Sequence, residues 1–281
     1  MSSSSTTSRT HAAQPQPVTV GALLRSWRER RRLSQLDLAL DAEISARHLS
    51  FLETGRARPS REMVMRLAER LEVPLRERNL LLVAAGYAPA FPERRLDDPA
   101  LAAARQAVDQ VLTGHEPYPA LAVDRHWTLL AANRAVGPLI AGADAALLRP
   151  PVNVLRLSLH PAGLAPRIAN FGEWRAHLLA RLRRQVEVSA DPVLVALLEE
   201  LKGYPAPAVR GVEAEPAGVV VPLRLALPSG GPVLSLISTT TVFGTPVDIT
   251  LAELALETFF PADAATGEAL RALAAAAAAG R

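Results

Sequence analysis

The stretch LSQLDLALDAEISARHLSFLETGRARP, Leu33 to Pro59, concentrates side chains that can recognise a charged, hydrogen-bonding surface. Arg47, Arg56 and Arg58 each present a planar fork of donors, which pairs two-fold with phosphate or with O6 and N7 of guanine. A guanine pair of that kind is worth about 1–3 kcal/mol of discrimination, and an aromatic edge such as that of Phe51 can meet a thymine methyl. Gln35, Ser45, His48 and Ser50 add uncharged hydrogen-bonding groups. To act together, such residues need a short helix, a tight turn, a second and more polar helix, and then the arginine-bearing loop. That is the layout of a helix-turn-helix reader of duplex DNA.

The elements that would position these residues are legible around them. In VGALLRSWRERRR, Leu23, Leu24, Trp27 and Arg31 mark one face of a first helix. Ser34 stands at the N-cap of a second, with Asp37 placed where a carboxylate favours the positive helix end. That helix stops near Ala42. Ser45 caps a third, in which Leu49 and Leu52 face inward and Arg47, His48, Ser50 and Phe51 point elsewhere, until Gly55 supplies a left-handed end. For Phe51 two readings stand, contact with a base or packing inside the bundle. Ser60 caps a fourth helix, and a fifth runs from Pro74 to Gly86. Five short helices with short connections make a compact bundle, assigned to residues 19–87. Residues 1–18, rich in Ser, Thr, Gln and Pro, read as a disordered tail.

Charge follows the same division. The net charge of +3 hides 13 arginines against 9 acidic residues between Val20 and Tyr87, and 17 basic against 19 acidic from residue 88 onward. The positive excess therefore lies on the first module, as phosphate binding requires. At 281 residues and 49% hydrophobic content, two domains can each bury a core. There is no cysteine, which excludes disulfides and cysteine-ligated zinc. Neither a signal peptide nor a membrane span is expected, so the reading is a soluble, cytoplasmic protein.

Beyond Tyr87, the prolines and charges of YAPAFPERRLDDP mark a connecting segment, assigned to residues 88–104, with a second domain at 105–275. A helix, ALAAARQAVDQVLTG, leads in. PALAVD and WTLLAAN then flank Arg125-His126 as a hairpin, and Asn133 stands where it can cap the next helix. Helical runs start at Asn153, Phe171 and Asp191. VVVPLRLAL and PVLSLISTTTVFG are β-rich around the turn Pro228–Gly231, a further strand lies near DITLAELALETFF, and an alanine-rich helix ends the chain.

The first module resembles the DNA-binding domain of the XRE family, which includes the phage repressors and Cro. The resemblance rests on Ser34-Gln35-Leu36-Asp37-Leu38-Ala39 and on the I-S-x-x-x-L-S-x-L-E-x-G-x-x-x-P pattern from Ile44 to Pro59. It departs at Ala42-Glu43, where relatives commonly carry glycine. It implies that Gln35 approaches the phosphate backbone, that Arg47 and Phe51 reach base edges with Ser45, His48 and Ser50 near them, and that Arg56 and Arg58 grip phosphate.

EPYPALAVDRHWTLLAAN, NVLRLSLHPAGLAPRIANFGEWRAHLL and STTTVFGTPVDITLAELALETFFPAD resemble the MmyB-like branch of those regulators. The expected fold is then α+β, a lambda-repressor-like five-helix bundle followed by a PAS-like α/β sensor domain. The resemblance implies a one-component regulator that binds double-stranded DNA as a homodimer and encloses a small apolar, fatty-acid-like effector. Candidate cavity residues are Trp127, Asn133, Asn153, Arg156, His160, Phe171, Trp174 and Arg175, with Arg156 or His160 suited to a carboxylate head. Each also has a plainer role open to it: the tryptophans as core, the asparagines as caps, His160 as a helix end.

Enzymatic chemistry finds little footing. G-x-S-x-G, H-E-x-x-H and G-x-G-x-x-G are absent, and His160 with Glu173 is the one acid–base pair worth naming. Neither catalytic nor metal-binding residues nor a cofactor are expected. The competing reading is a DNA-binding regulator whose second domain only dimerises or binds another protein.

Overall fold

The computed structural model describes residues 19–206 and 220–279, so the expected tail at residues 1–18 lies outside it. The chain divides between Ala90 and Phe91 into two compact units.

The first unit is built from α1 (Val20–Arg30), α2 (Gln35–Asp41), α3 (Ala46–Glu53), α4 (Arg61–Arg70) and α5 (Leu75–Ala84). Hydroxyls of Thr19, Ser34, Ser45 and Ser60 accept backbone N–H groups at the first four N-termini, and Asp37 completes a capping box with Ser34. All five helices end alike, with one residue in the left-handed region: Arg32, Glu43, Gly55, Glu72 and Gly86. In each case the next N–H reaches back to a carbonyl of the last turn, as in Leu33 to Arg28 and Ile44 to Ala39. The glycine-free turn is thus closed by Glu43, at φ 55°. Leu24, Trp27, Leu38, Leu49, Leu52, Leu67 and Leu81 fill the core.

Gly21 shows how closely α1 and α3 approach. A Cβ there would lie 2.4 Å from the carbonyl oxygen of Leu52. Helix propensity favours alanine over glycine by about 1 kcal/mol, but overpacking against backbone costs about 1–3 kcal/mol. We expect Gly21→Ala to be net destabilising, read as a lower urea midpoint for this unit; a raised midpoint would mean that the two helices separate freely.

The second unit contains α6 (Ala102–Gly114), β1 (Ala120–Val123), β2 (Leu129–Ala132), α7 (Val136–Ile140), α8 (Val154–Leu159), α9 (Phe171–Ser189), α10 (Pro192–Gly203), β3 (Leu223–Leu225), β4 (Leu234–Val242), α11 (Ile249–Ala252), β5 (Ala255–Pro261) and α12 (Ala264–Ala279). Among the described residues its strands form one antiparallel sheet in the order β2-β1-β5-β4-β3. Val219, the start of the expected third strand, lies outside the described residues. The segment after Ala90 is seated on this unit, where Arg94 pairs with the buried carboxylate of Asp248 at 2.9 Å and Ile249 N–H donates to Pro92. Asp248 also caps α11, a short helix where the sequence suggested continuous strand.

Alternation along the strands separates the faces. Ala120, Ala122 and Leu256 pack with Val108 and Leu112 of α6. Leu121, Val123, Leu234, Leu236 and Phe259 face the opposite way, into a larger core with α8, α9, α10 and α12. Register then sets Leu121 opposite Glu257, and Glu257 opposite Thr240.

Asn133 does not cap α7, whose N-cap is Ala135 and lacks a side-chain bond. Its Oδ1 accepts from Ala120 N–H at 3.1 Å, and its Nδ2 donates to Leu112 and Tyr118 at 3.0 and 2.7 Å. It ties α6 to β1.

Candidate DNA-reading face and effector cavity

In α3 the inward face is Leu49, Leu52 and Glu53. This leaves Arg47 exposed and His48, Ser50 and Phe51 half-buried on the other side. Phe51 stays outside the core; its ring lies 5.3 Å from the Arg47 guanidinium carbon, a cation–π contact. Ser45 accepts from His48 N–H at 3.1 Å, and Arg56 is exposed in the loop beyond. Arg58 is engaged within the unit, its Nε and Nη2 donating to Ala85 at 3.3 and 3.1 Å.

Gln35 is held from beneath. Its Nε2 donates to Glu53 Oε2 at 2.8 Å, and Arg28 of α1 grips the same carboxylate through Nε at 2.7 Å and Nη2 at 2.9 Å. The Glu53 side chain is 1% exposed and that of Arg28 10%. One buried acid therefore joins the first three helices.

The second unit encloses a cavity of about 100 Å³ between the sheet and α7, α8 and α9. Its walls are Leu121, Leu129, Leu139, Ile140, Leu157, Leu164, Trp174, Leu178, Leu225, Phe259 and neighbours, with Trp127 closing one side. Trp127 sits in the β1–β2 turn at φ 65°, a conformation rare for a large side chain, while Asp124 Oδ1 accepts from His126 and Thr128 N–H groups at 2.8 Å each. The polar lining is Ser158, Arg181, Ser238 and Glu257. Arg181 forks onto Glu257 at 2.5 and 3.1 Å, donates to Thr240 Oγ1 at 2.8 Å, and lies 4.5 Å from the Trp127 ring centre. His177 stacks on Trp174 and is held below the usual imidazole range by burial, then by the charges of Arg181 and Arg184.

Comparison with known proteins agrees with both halves. The model of the helix-turn-helix family matches residues 24–78, and that described as the MmyB-like transcription regulator ligand binding domain matches residues 104–273. The chain belongs to the MmyB-like transcription regulators. Two solved structures of the clp gene regulator ClgR from Corynebacterium glutamicum are also similar in part. One is 30% identical over 24% of this chain and 83% of its own, with a TM-score of 0.21. The other is 27% identical over 37% and 99%, with a TM-score of 0.22. A search of the curated proteins finds no match.

Of the eight cavity candidates in this MmyB-like regulator, Trp127 and Trp174 line the space. Each indole N–H is spent inside, on Gln185 at 2.8 Å and on Ser158 at 3.0 Å. The others serve the frame. Asn133 bonds backbone as described, and Asn153 caps α8 while donating to His126 at 2.8 Å. Phe171 is buried in the core at the start of α9. Arg175 donates to the carbonyls of Leu201, Lys202 and Tyr204 at the end of α10.

Arg156 and His160, expected to suit a carboxylate head, are placed elsewhere. Arg156 clamps Glu200 at 2.7–3.1 Å, and that hydrogen bonding holds the Glu200 carboxyl below its usual range. His160 accepts from Ala162 N–H at 3.0 Å and meets Tyr204 edge-on. The tyrosine hydroxyl is pushed up to about 12 by burial and by Glu200.

Arg181 and Glu257 are the charged groups of the lining that sequence reasoning passed over, together with the hydroxyls of Ser158 and Ser238. The signal was present: Trp174, Leu178, Arg181 and Gln185 share one face of α9 at spacings of four, three and four, and Glu257 shares the inward phase of β5 with Phe259. A charged residue on an apolar stripe asks for a partner, and each supplies the other's.

Proposed function

We propose that this regulator reads an operator through α3 and changes its affinity when a small apolar effector enters the cavity of the second unit. Supporting the first half is the outward set of Arg47, Phe51, His48 and Ser50 on a helix anchored from behind by Glu53. Arg47 specifies, Arg56 grips phosphate, and Gln35 and Arg58 frame them. Two copies of the chain engage a two-fold operator, in the cytoplasm, with no catalytic step. Supporting the second half is the observation that carries the whole reading, a nearly all-apolar cavity bounded by a strained tryptophan turn. An alkyl or acyl body of the fatty-acid-like kind suits those walls. At about 100 Å³ the space as it stands takes a body of a few heavy atoms, a longer chain requiring the walls to open.

The test begins with an operator selected from randomised duplexes. Replacing Arg47 by alanine should flatten preference at one base pair by about 1–3 kcal/mol. Replacing Arg56 should weaken binding to every sequence alike and reduce the salt slope by about one. If both variants bind the operator as the parent does, α3 is not the reading helix. An effector found for the cavity should shift operator affinity by about 5- to 150-fold, and identical affinity with and without it would detach the cavity from regulation.

A further inference from the structure

We propose that the cavity selects an effector with an uncharged head, an alcohol or amide on an apolar body, over a carboxylate; this rests on reading the cavity as the effector site. The polar end of the cavity is already balanced in charge. Among the described residues Arg181 is the only cation in its lining, and both of its terminal nitrogens are committed to the Glu257 carboxylate, whose side chain is 5% exposed. An anionic head placed there would leave two carboxylates sharing one guanidinium in a water-poor space, an arrangement that favours expulsion or neutralisation of the newcomer.

The bonding capacity that remains suits a neutral head instead. Ser158 accepts from Trp174 at 3.0 Å, and its own O–H has no acceptor among the described residues. Ser238, across the cavity on β4, makes no side-chain hydrogen bond among the described residues. Glu257 accepts three bonds, from both terminal nitrogens of Arg181 and from Thr240 at 2.9 Å, and a carboxylate offers about four acceptor positions. One donor for a carbonyl or hydroxyl oxygen, one adaptable hydroxyl and one further acceptor position match the two-sided hydrogen bonding of a primary amide or an alcohol. A carboxylate, which only accepts, leaves the Glu257 position unused.

The experiment titrates the full-length protein at pH 7.5 with hexanamide, hexan-1-ol and hexanoate, and with dodecanamide and dodecanoate for body length, by calorimetry. The expected result is that amide and alcohol bind at least about tenfold more tightly than the acid of equal length. Equal or tighter binding of the acid overturns the proposal. Silence from every probe of both lengths removes the effector reading of the cavity, and this inference falls with it. Glu257→Gln leaves Arg181 uncompensated, so the amide-to-acid ratio should swing toward the acid by at least about tenfold. An unchanged ratio in the folded variant also overturns the proposal. If that variant does not fold, Ser158→Ala combined with Ser238→Ala should bring the amide down to the affinity of the acid, and an undiminished amide preference counts against it.

Discussion

Replacing Glu53 by alanine should cost the helical unit about 3–5 kcal/mol, a large share of the stability of any domain this size. The reason is what remains behind. Arg28, with a side chain 10% exposed, loses both bonds to its only buried acid and keeps one donor on Leu33 at 2.9 Å. A guanidinium cannot shed its proton to escape, so the cost falls on folding. Gln35 loses its tether at the same time. The Arg25–Glu29 pair makes the contrast: it has a similar 2.8 Å contact, but with side chains 62% and 52% exposed. Arg25→Ala should therefore change stability little, because water already competes for both groups. Urea unfolding of Glu53→Ala beside Arg25→Ala compares the two environments directly. Similar small losses would mean that Arg28 reaches solvent once its partner has gone. Operator affinity should also drop in Glu53→Ala, through α3 and Gln35 together.

Local signals made the helical unit legible. Three hydroxyl caps, at Ser34, Ser45 and Ser60, and the apolar spacing of Leu24, Leu38, Leu49 and Leu52 are read without knowing the fold, because each depends on neighbours within a turn or two. Glycine announced the left-handed helix ends only at Gly55 and Gly86, although the stop of α2 near Ala42 was also legible. Arg32, Glu43 and Glu72 adopt the same left-handed conformation without a glycine to announce it, since the bundle's packing outweighs the local preference. In the second unit, elements were legible but partners were not. Arg156 and Arg175 are arginines on helices, as Arg181 is, yet the first meets Glu200, the second meets carbonyls of α10, and only the third turns into the cavity. Sequence gives the phase of a residue on its helix. Which strand lies opposite depends on the order β2-β1-β5-β4-β3, a pairing of distant segments that no local window contains. Asn133 illustrates the same limit, because a capping residue just before a helix was used instead to bind a carbonyl of α6 and an N–H of β1.

Removal of Arg181 is the corresponding test in the second unit, with an expected loss of about 3–5 kcal/mol for Arg181→Ala. Glu257 would then stand on β5 with 5% of its side chain exposed, keeping Thr240 as its hydrogen-bond donor. Trp127 would lose the guanidinium that lies over its ring, and so one of the contacts that supports its left-handed turn. A double replacement separates a pairing effect from a packing effect. With Arg181→Met and Glu257→Met together, both charges leave and similar volume stays, and exchanging a buried pair for apolar groups is often neutral or stabilising. The double variant should accordingly recover most of the stability lost by the single one, measured as chemical unfolding of the second unit. Recovery assigns the loss to an unpaired carboxylate. A double variant as unstable as Arg181→Ala would instead assign it to the shape of the arginine stem against Trp127 and α9, and the pair would then be a packing element at the cavity wall whose charge is incidental.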